Sequence, residues 1–151
     1  MTSRANPYTS LDLVKPLIDY AKLIEGRLEP GLGHLVKIRA SQINGCAMCL
    51  NMHTQEALAD GETPQRLFLL DAWRESPLYS AHERAALAWT EAVTLVSQTH
   101  VPDTVYEEVR IEFEPEELVK LTLLIATINA WNRFAISFRS IHPVKAQTAA
   151  A

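Results

Sequence analysis

Apolar residues recur at spacings of three and four along most of the chain, the period of an amphipathic helix. Leu13, Leu17, Tyr20, Ala21 and Ile24 form the first such stripe. Ser10 stands where a cap would open that helix and Gly26 where it would close, while Pro16 inside the pattern pulls the expected start toward itself. Glu29-Pro30-Gly31-Leu32-Gly33 reads as a loop. A second helix carries Leu35, Val36, Ile38 and Arg39 to about Ile43, and Asn44-Gly45 then turns the chain and is placed to cap the next segment. The third helix covers about 46–59 and stops at Asp60-Gly61. Thr63-Pro64 restarts a helix with Leu67, Leu70, Ala72 and Trp73 on its apolar side, and Ser76-Pro77 ends it.

Ser80-Ala81-His82-Glu83 has the spacing of a capping box and opens a helix to about residue 98, striped by Ala85, Leu87, Ala88, Ala92, Leu95 and Val96. Pro102 sets off a short helix, about 103–112, and Pro115 opens the last one, to about Arg139. Alternation of period two never persists, so the expectation is an all-α domain of six to seven helices over residues 1–142. Residues 143–151 read as a flexible C-terminal tail. The last helix is apolar around nearly its whole circumference, from Leu118 and Leu121 to Ile128, Trp131 and Phe134. Two arrangements bury such a helix: a central place in the core, or association of subunits.

Length and composition narrow the partners. A chain of 151 residues holds one domain. The net charge is −4 and the basic residues are scattered, which argues against nucleic acid. Apolar runs are far too short for a membrane span, and the first residues lack the apolar core of a signal peptide, so a cytoplasmic location is expected. With two cysteines three residues apart, the chain is no secreted disulfide scaffold.

Those cysteines lie in Ile43-Asn44-Gly45-Cys46-Ala47-Met48-Cys49-Leu50-Asn51-Met52-His53. On a helix, Cys46, Cys49 and His53 share a face, at a separation that suits a disulfide. The Asn-Gly turn puts the pair at a helix N-terminus, where N–H groups and the dipole favour a thiolate. Three readings stand: a dithiol redox centre with His53 as base, a zinc site with His53 and His34 as further ligands, or two buried structural cysteines beside a satisfied histidine. Met48 fits core filler, a place against a disulfide or the lining of a substrate pocket; Trp73, Trp89 and Trp131 fit core positions, and His82, His100 and His142 carry no assigned role. Asn129, Asn132 and Arg133, polar in a very apolar helix, fit either an interface, the far wall of a site, or bonds to backbone.

The segment Leu35-Val36-Lys37-Ile38-Arg39-Ala40-Ser41-Gln42-Ile43-Asn44-Gly45-Cys46 with Cys49 and His53 resembles the AhpD-like alkylhydroperoxidase branch of the carboxymuconolactone decarboxylase family. Ala72-Trp73-Arg74-Glu75-Ser76-Pro77-Leu78, the run from Glu83 to Glu91, and Ile128-Asn129-Ala130-Trp131-Asn132-Arg133 extend the likeness over most of the chain beyond residue 30. The resemblance implies an all-helical fold intertwined as a homotrimer or homohexamer. It implies a cofactor-free, metal-free peroxidase in which Cys49 attacks a hydroperoxide, Cys46 resolves the sulfenic acid to a disulfide, and His53 relays the proton. A dithiol reductant, borne on a lipoyl group or a thioredoxin-like protein, would reopen the disulfide. The family's glutamate twelve residues before the first cysteine is His34 here. Restoring His34→Glu is therefore expected to raise turnover. The competing expectation is a redox-responsive regulatory or binding protein with little turnover. Lactone decarboxylation, the family's other chemistry, needs no cysteine pair.

Overall fold

The computed structural model describes residues 4–144. A 3₁₀ turn, Pro7–Ser10, leads into α1 (Leu11–Glu25), followed by α2 (Pro30–Asn44), α3 (Ala47–Ala59) and α4 (Pro64–Leu69) with a 3₁₀ turn over Leu70–Ala72. Then come α5 (Ala81–Thr94), α6 (Val96–Thr99), α7 (Asp103–Glu112) and α8 (Pro115–Ser137). The described residues thus form eight α-helices and no strand. The expected tail lies mostly outside them, from residue 145 onward. No helix among them is long and apolar enough to cross a membrane.

Local chemistry sets the helix ends. The capping box forms as spaced: Ser80 accepts from the Glu83 N–H while the Glu83 carboxylate accepts from the Ser80 N–H. Thr63 caps α4. Pro30 does not lie in a loop but opens α2, because proline lacks the very N–H that a first turn leaves unpaired. Gly33 then sits inside α2 against α8, where a Cβ would meet Leu124 at 3.8 Å. α1 begins at Leu11, well before Pro16. Its buried residues are Val14 and Ile24, with Leu17 and Ala21 half-buried beside them; Leu13 and Tyr20 of the expected stripe are turned to solvent instead. The helix expected to reach residue 98 breaks at Leu95 (φ −96°, ψ 30°), which is why one more helix appears than the pattern predicts. α8 ends two residues early, with Arg139 left-handed at φ 53°.

α2 is the hub, packed against α3, α5 and α8, with α1 laid on α8 and α7 on α5. The larger core gathers Val36, Ala86, Trp89, Val109, Leu121, Leu124 and Ile125. A second cluster joins Leu35, Ile38, Leu70, Trp73 and Leu87. Each fully buried leucine of this kind contributes about 2 kcal/mol of apolar transfer. α8 occupies the central place: Leu121, Leu124, Ile125 and Ile128 are covered within the chain. Val119, Leu123 and Ile136 stay exposed on its remaining side.

Glu91 ties the hub together. Its carboxylate accepts from Arg39 Nε and Trp73 Nε1, both at 2.9 Å, and from Arg74 at 2.5 Å. Burial disfavours its charge, but hydrogen bonds from Trp73 and Arg74 and the charge of Arg39 outweigh that and hold the carboxyl below its ordinary range.

Candidate active site

The turn between α2 and α3 carries both cysteines. Gly45 closes α2 at φ 69° and ψ 34°, the left-handed region that glycine enters without steric cost. Asn44 is the last residue of α2 and does not cap α3. Cys46 is the N-cap instead, its sulfur accepting from the Cys49 backbone N–H at 3.4 Å. Both thiols are free and buried, in an apolar cluster with Ala40 and Ile128.

This geometry separates the two thiols electrostatically. A hydrogen bond from the Cys49 thiol does most to lower Cys46; burial opposes it, and the Cys49 N–H, the Asn132 amide and the Met48 N–H assist, leaving Cys46 at about 7. The same hydrogen bond, together with burial, pushes the Cys49 thiol well up. The pair therefore loses its first proton near neutrality, and the charge rests on Cys46 with Cys49 as donor.

Asn132 is held for this task. It is fully buried on α8, donates Nδ2 to Ser41 Oγ at 3.0 Å, and accepts on Oδ1 from Asn44 Nδ2 at 2.8 Å. Asn44 also donates to Asn129 Oδ1 at 3.0 Å, and Asn129 donates to Thr94 Oγ1. The cysteine turn is thus fastened to α8 by paired side-chain amides. Asn129 and Asn132 stand out in sequence as polar breaks in an apolar helix, but their partner Asn44 lies 85 and 88 residues away.

A cavity of about 340 Å³ opens on Cys49. Its walls are apolar, from Ile18, Met48, Met52, Trp131 and Phe134, and Lys37, His53 and Glu56 give it a polar side. His53 Nδ1 lies 2.8 Å from Glu56 Oε2. Glu56 as a carboxylate accepts there, so Nδ1 carries the hydrogen and Nε2 keeps the basic lone pair. Burial lowers the His53 pKa against the opposing Glu56 hydrogen bond, and the charge of Lys37 adds to the lowering. His53 is therefore neutral at neutral pH, as a proton acceptor must be. Buried Lys37 spans Glu25 at 3.0 Å and Glu56 at 3.7 Å, compensating both carboxylates.

Of the four expected site residues, Cys49 and His53 line this cavity, and Cys46 adjoins Cys49 at the α3 cap. His34 does not line the Cys49 cavity. Its Nε2 lies 2.7 Å from Asp60 Oδ2, and it borders a separate cavity of about 130 Å³ that also touches Lys37 and Glu25. Among the described residues no three of His, Cys, Asp and Glu are gathered in a way that could hold a metal ion. Trp131 is a cavity wall rather than plain core. Glu56 and Lys37 are site residues that helical spacing alone did not single out. Glu56, three residues after His53, was within reach of that signal.

Comparison with known proteins places this architecture. An uncharacterised protein of Bacillus subtilis, YdfG, is 48% identical over 103 residues, covering 68% of this chain and 70% of that protein. Uncharacterised YnjA of Escherichia coli is 29% identical over 122 residues, 81% of this chain and 66% of its own length. Among solved structures, a protein of unknown function from Agrobacterium tumefaciens, described as a candidate antioxidant-defence AhpD protein, superposes with a TM-score of 0.93 at 43% identity. That match covers 95% of this chain and all of the other. The debrominase Bmp8 shares the fold at a TM-score of 0.78 and 19% identity, over 90% of this chain and 74% of its own. The profile of the carboxymuconolactone decarboxylase family matches residues 12–92, and that region contains the α2–α3 turn, both cysteines and His53. The chain belongs to the carboxymuconolactone decarboxylase family and has the AhpD-like fold.

Proposed function

We propose that this protein is a thiol-dependent peroxidase that reduces hydrogen peroxide or small organic hydroperoxides through a Cys46/Cys49 dithiol–disulfide cycle. The observation that carries the reading is a reduced dithiol at a helix N-terminus, with Cys49 and a neutral histidine on the wall of one apolar cavity. A cavity of that volume suits a small apolar molecule.

The chemistry runs in two steps. The Cys49 proton passes to His53 or to the Cys46 thiolate, and the Cys49 thiolate attacks the terminal peroxide oxygen. The O–O bond breaks, the sulfur is oxidised to sulfenic acid, and the departing alkoxide takes the proton and leaves as alcohol. Cys46 then attacks the Cys49 sulfur, hydroxide leaves as water, and the disulfide forms. A dithiol reductant, carried on a lipoyl group or a thioredoxin-like protein, restores both thiols and is itself oxidised. Glu56 takes the part of the carboxylate that the family places twelve residues before the first cysteine: it fixes the tautomer of His53 and stabilises the imidazolium. His34 stays outside this relay, because it is engaged with Asp60 at a different cavity.

Consumption of an organic hydroperoxide under excess dithiol, in wild type and Cys49→Ser, tests the proposal. Many turnovers are expected in wild type and none above background in the variant. Consumption of a single equivalent by wild type would move the assignment to a redox-responsive regulator.

A further inference from the structure

The two cysteines adjoin different openings. Cys49 lines the 340 Å³ cavity with Lys37 and His53, and Cys46 does not. Cys46 instead lines a wider groove of about 610 Å³, between the α2–α3 turn and the residues that follow α8. The groove contains Gly45, Ile136, Arg139, Ile141 and His142, and neither Cys49 nor any carboxylate. A Cβ built on Gly45 meets nothing within 4 Å, so the glycine side of the turn is open. Met48, Ala135 and Ser140 touch both spaces. Cys49 thus adjoins a cavity whose lining includes Glu25, Glu56 and His53, and Cys46, itself buried, adjoins an apolar groove lined in part by Arg139.

Resting on the peroxidase reading, we infer that the two half-reactions use opposite faces of the dithiol. The hydroperoxide reaches Cys49 through the cavity, and a dithiol on a short alkyl chain reaches Cys46 through the groove. Ile136 and Ile141 cover the alkyl chain, and Arg139 meets the carbonyl oxygen at its far end, a carboxylate in free dihydrolipoate and an amide in a carrier-borne lipoyl group. A thiolate of the reductant attacks Cys46 Sγ. The Cys46–Cys49 bond breaks, and Cys49 leaves as a thiolate and takes one proton. The reductant's second thiolate then attacks the reductant sulfur of the mixed disulfide, closes the reductant's own disulfide and expels Cys46, which takes the second proton at need. The protein gains two electrons and the dithiol loses two.

Rapid-mixing measurement of each half-reaction separates the faces, with dihydrolipoate and the uncharged dithiothreitol as probes on disulfide formed by diamide. Arg139→Glu is expected to slow reduction by dihydrolipoate about tenfold, leaving dithiothreitol and the peroxide step unchanged. Ile141→Trp, at an exposed position, is expected to slow both dithiols and leave the peroxide step unchanged. Met52→Trp, in the cavity, should slow the peroxide step alone. Unchanged reduction in both groove variants, or equal slowing of both half-reactions by Met52→Trp, would overturn the inference. Failure of wild type to form the disulfide with any hydroperoxide would instead defeat the peroxidase reading, and the diamide-prepared disulfide would still report on the groove.

Discussion

One shared hydrogen decides where the charge of the dithiol sits. Cys46 accepts from both the thiol and the backbone of Cys49, so the first proton leaves the pair at about pH 7. Thiolate absorbance near 240 nm should therefore rise with a midpoint near 7, and peroxide reactivity should climb through the same range as pH increases. Cys49→Ala removes the donor and should raise the Cys46 midpoint by roughly one unit. An unmoved midpoint would mean that the helix N-terminus alone holds the charge. At His53 the governing neighbour is Glu56. Glu56→Gln should lower turnover about tenfold and His53→Gln about a hundredfold. His34→Glu should bring no gain, since it would set a carboxylate beside Asp60 without reaching His53. A clear rise in steady-state turnover with that variant would restore position 34 to the relay. The nearness of Cys49 and His53 was legible in the sequence because they stand four residues apart on α3, with Cys46 as the cap of the same helix. Lys37 and Asn132 were not, because their meaning lies in partners on other helices: Glu25 and Glu56 for the one, Ser41 and Asn44 for the other.

At the scale of elements, the starts of α4, α5 and α8 were readable and the start of α2 was not. Ser80 with Glu83, and Thr63 with Pro64, announce α5 and α4 through groups that bond the first-turn N–H donors. α2 begins at Pro30 with no side-chain cap at Glu29, so a Pro-Gly-rich stretch that reads as loop is helix. That first turn sets Gly33 beside Leu124 of α8, where a Cβ would meet the leucine at an ordinary contact distance. What locks α2 to α5 is Glu91. Glu91→Leu would leave Trp73 Nε1 without its acceptor and Arg39 with only Asp71 and Gln42, and should cost about 1–3 kcal/mol in urea unfolding at neutral pH. The carboxyl is held low in the folded state, so its contribution is present above the ordinary carboxylate range and fades as pH falls through the folded value. The gap between wild type and Glu91→Gln should accordingly narrow below about pH 4. A gap independent of pH would assign the loss to packing.

The whole molecule leaves one side of its central helix bare. Val119 and Leu123, one turn apart on α8, stay exposed although the opposite side is fully buried. The proposed homotrimer or homohexamer would cover such a face. Sedimentation equilibrium should then give a mass that is a multiple of 16.9 kDa, and Leu123→Glu should lower it. A wild-type monomer at micromolar concentration would leave α8 simply as a core helix with an apolar flank. The helical class and nearly all the helices followed from periodicity, whereas the pairing of α2 with α8 depends on contacts between distant positions and had no signature along the chain. The most direct test of the peroxidase account is to trap a sulfenic acid with dimedone after one equivalent of hydroperoxide, in Cys46→Ser and Cys49→Ser side by side. The account predicts an adduct on Cys49 in the first variant and none in the second. An adduct confined to Cys46, or none in either, would contradict it.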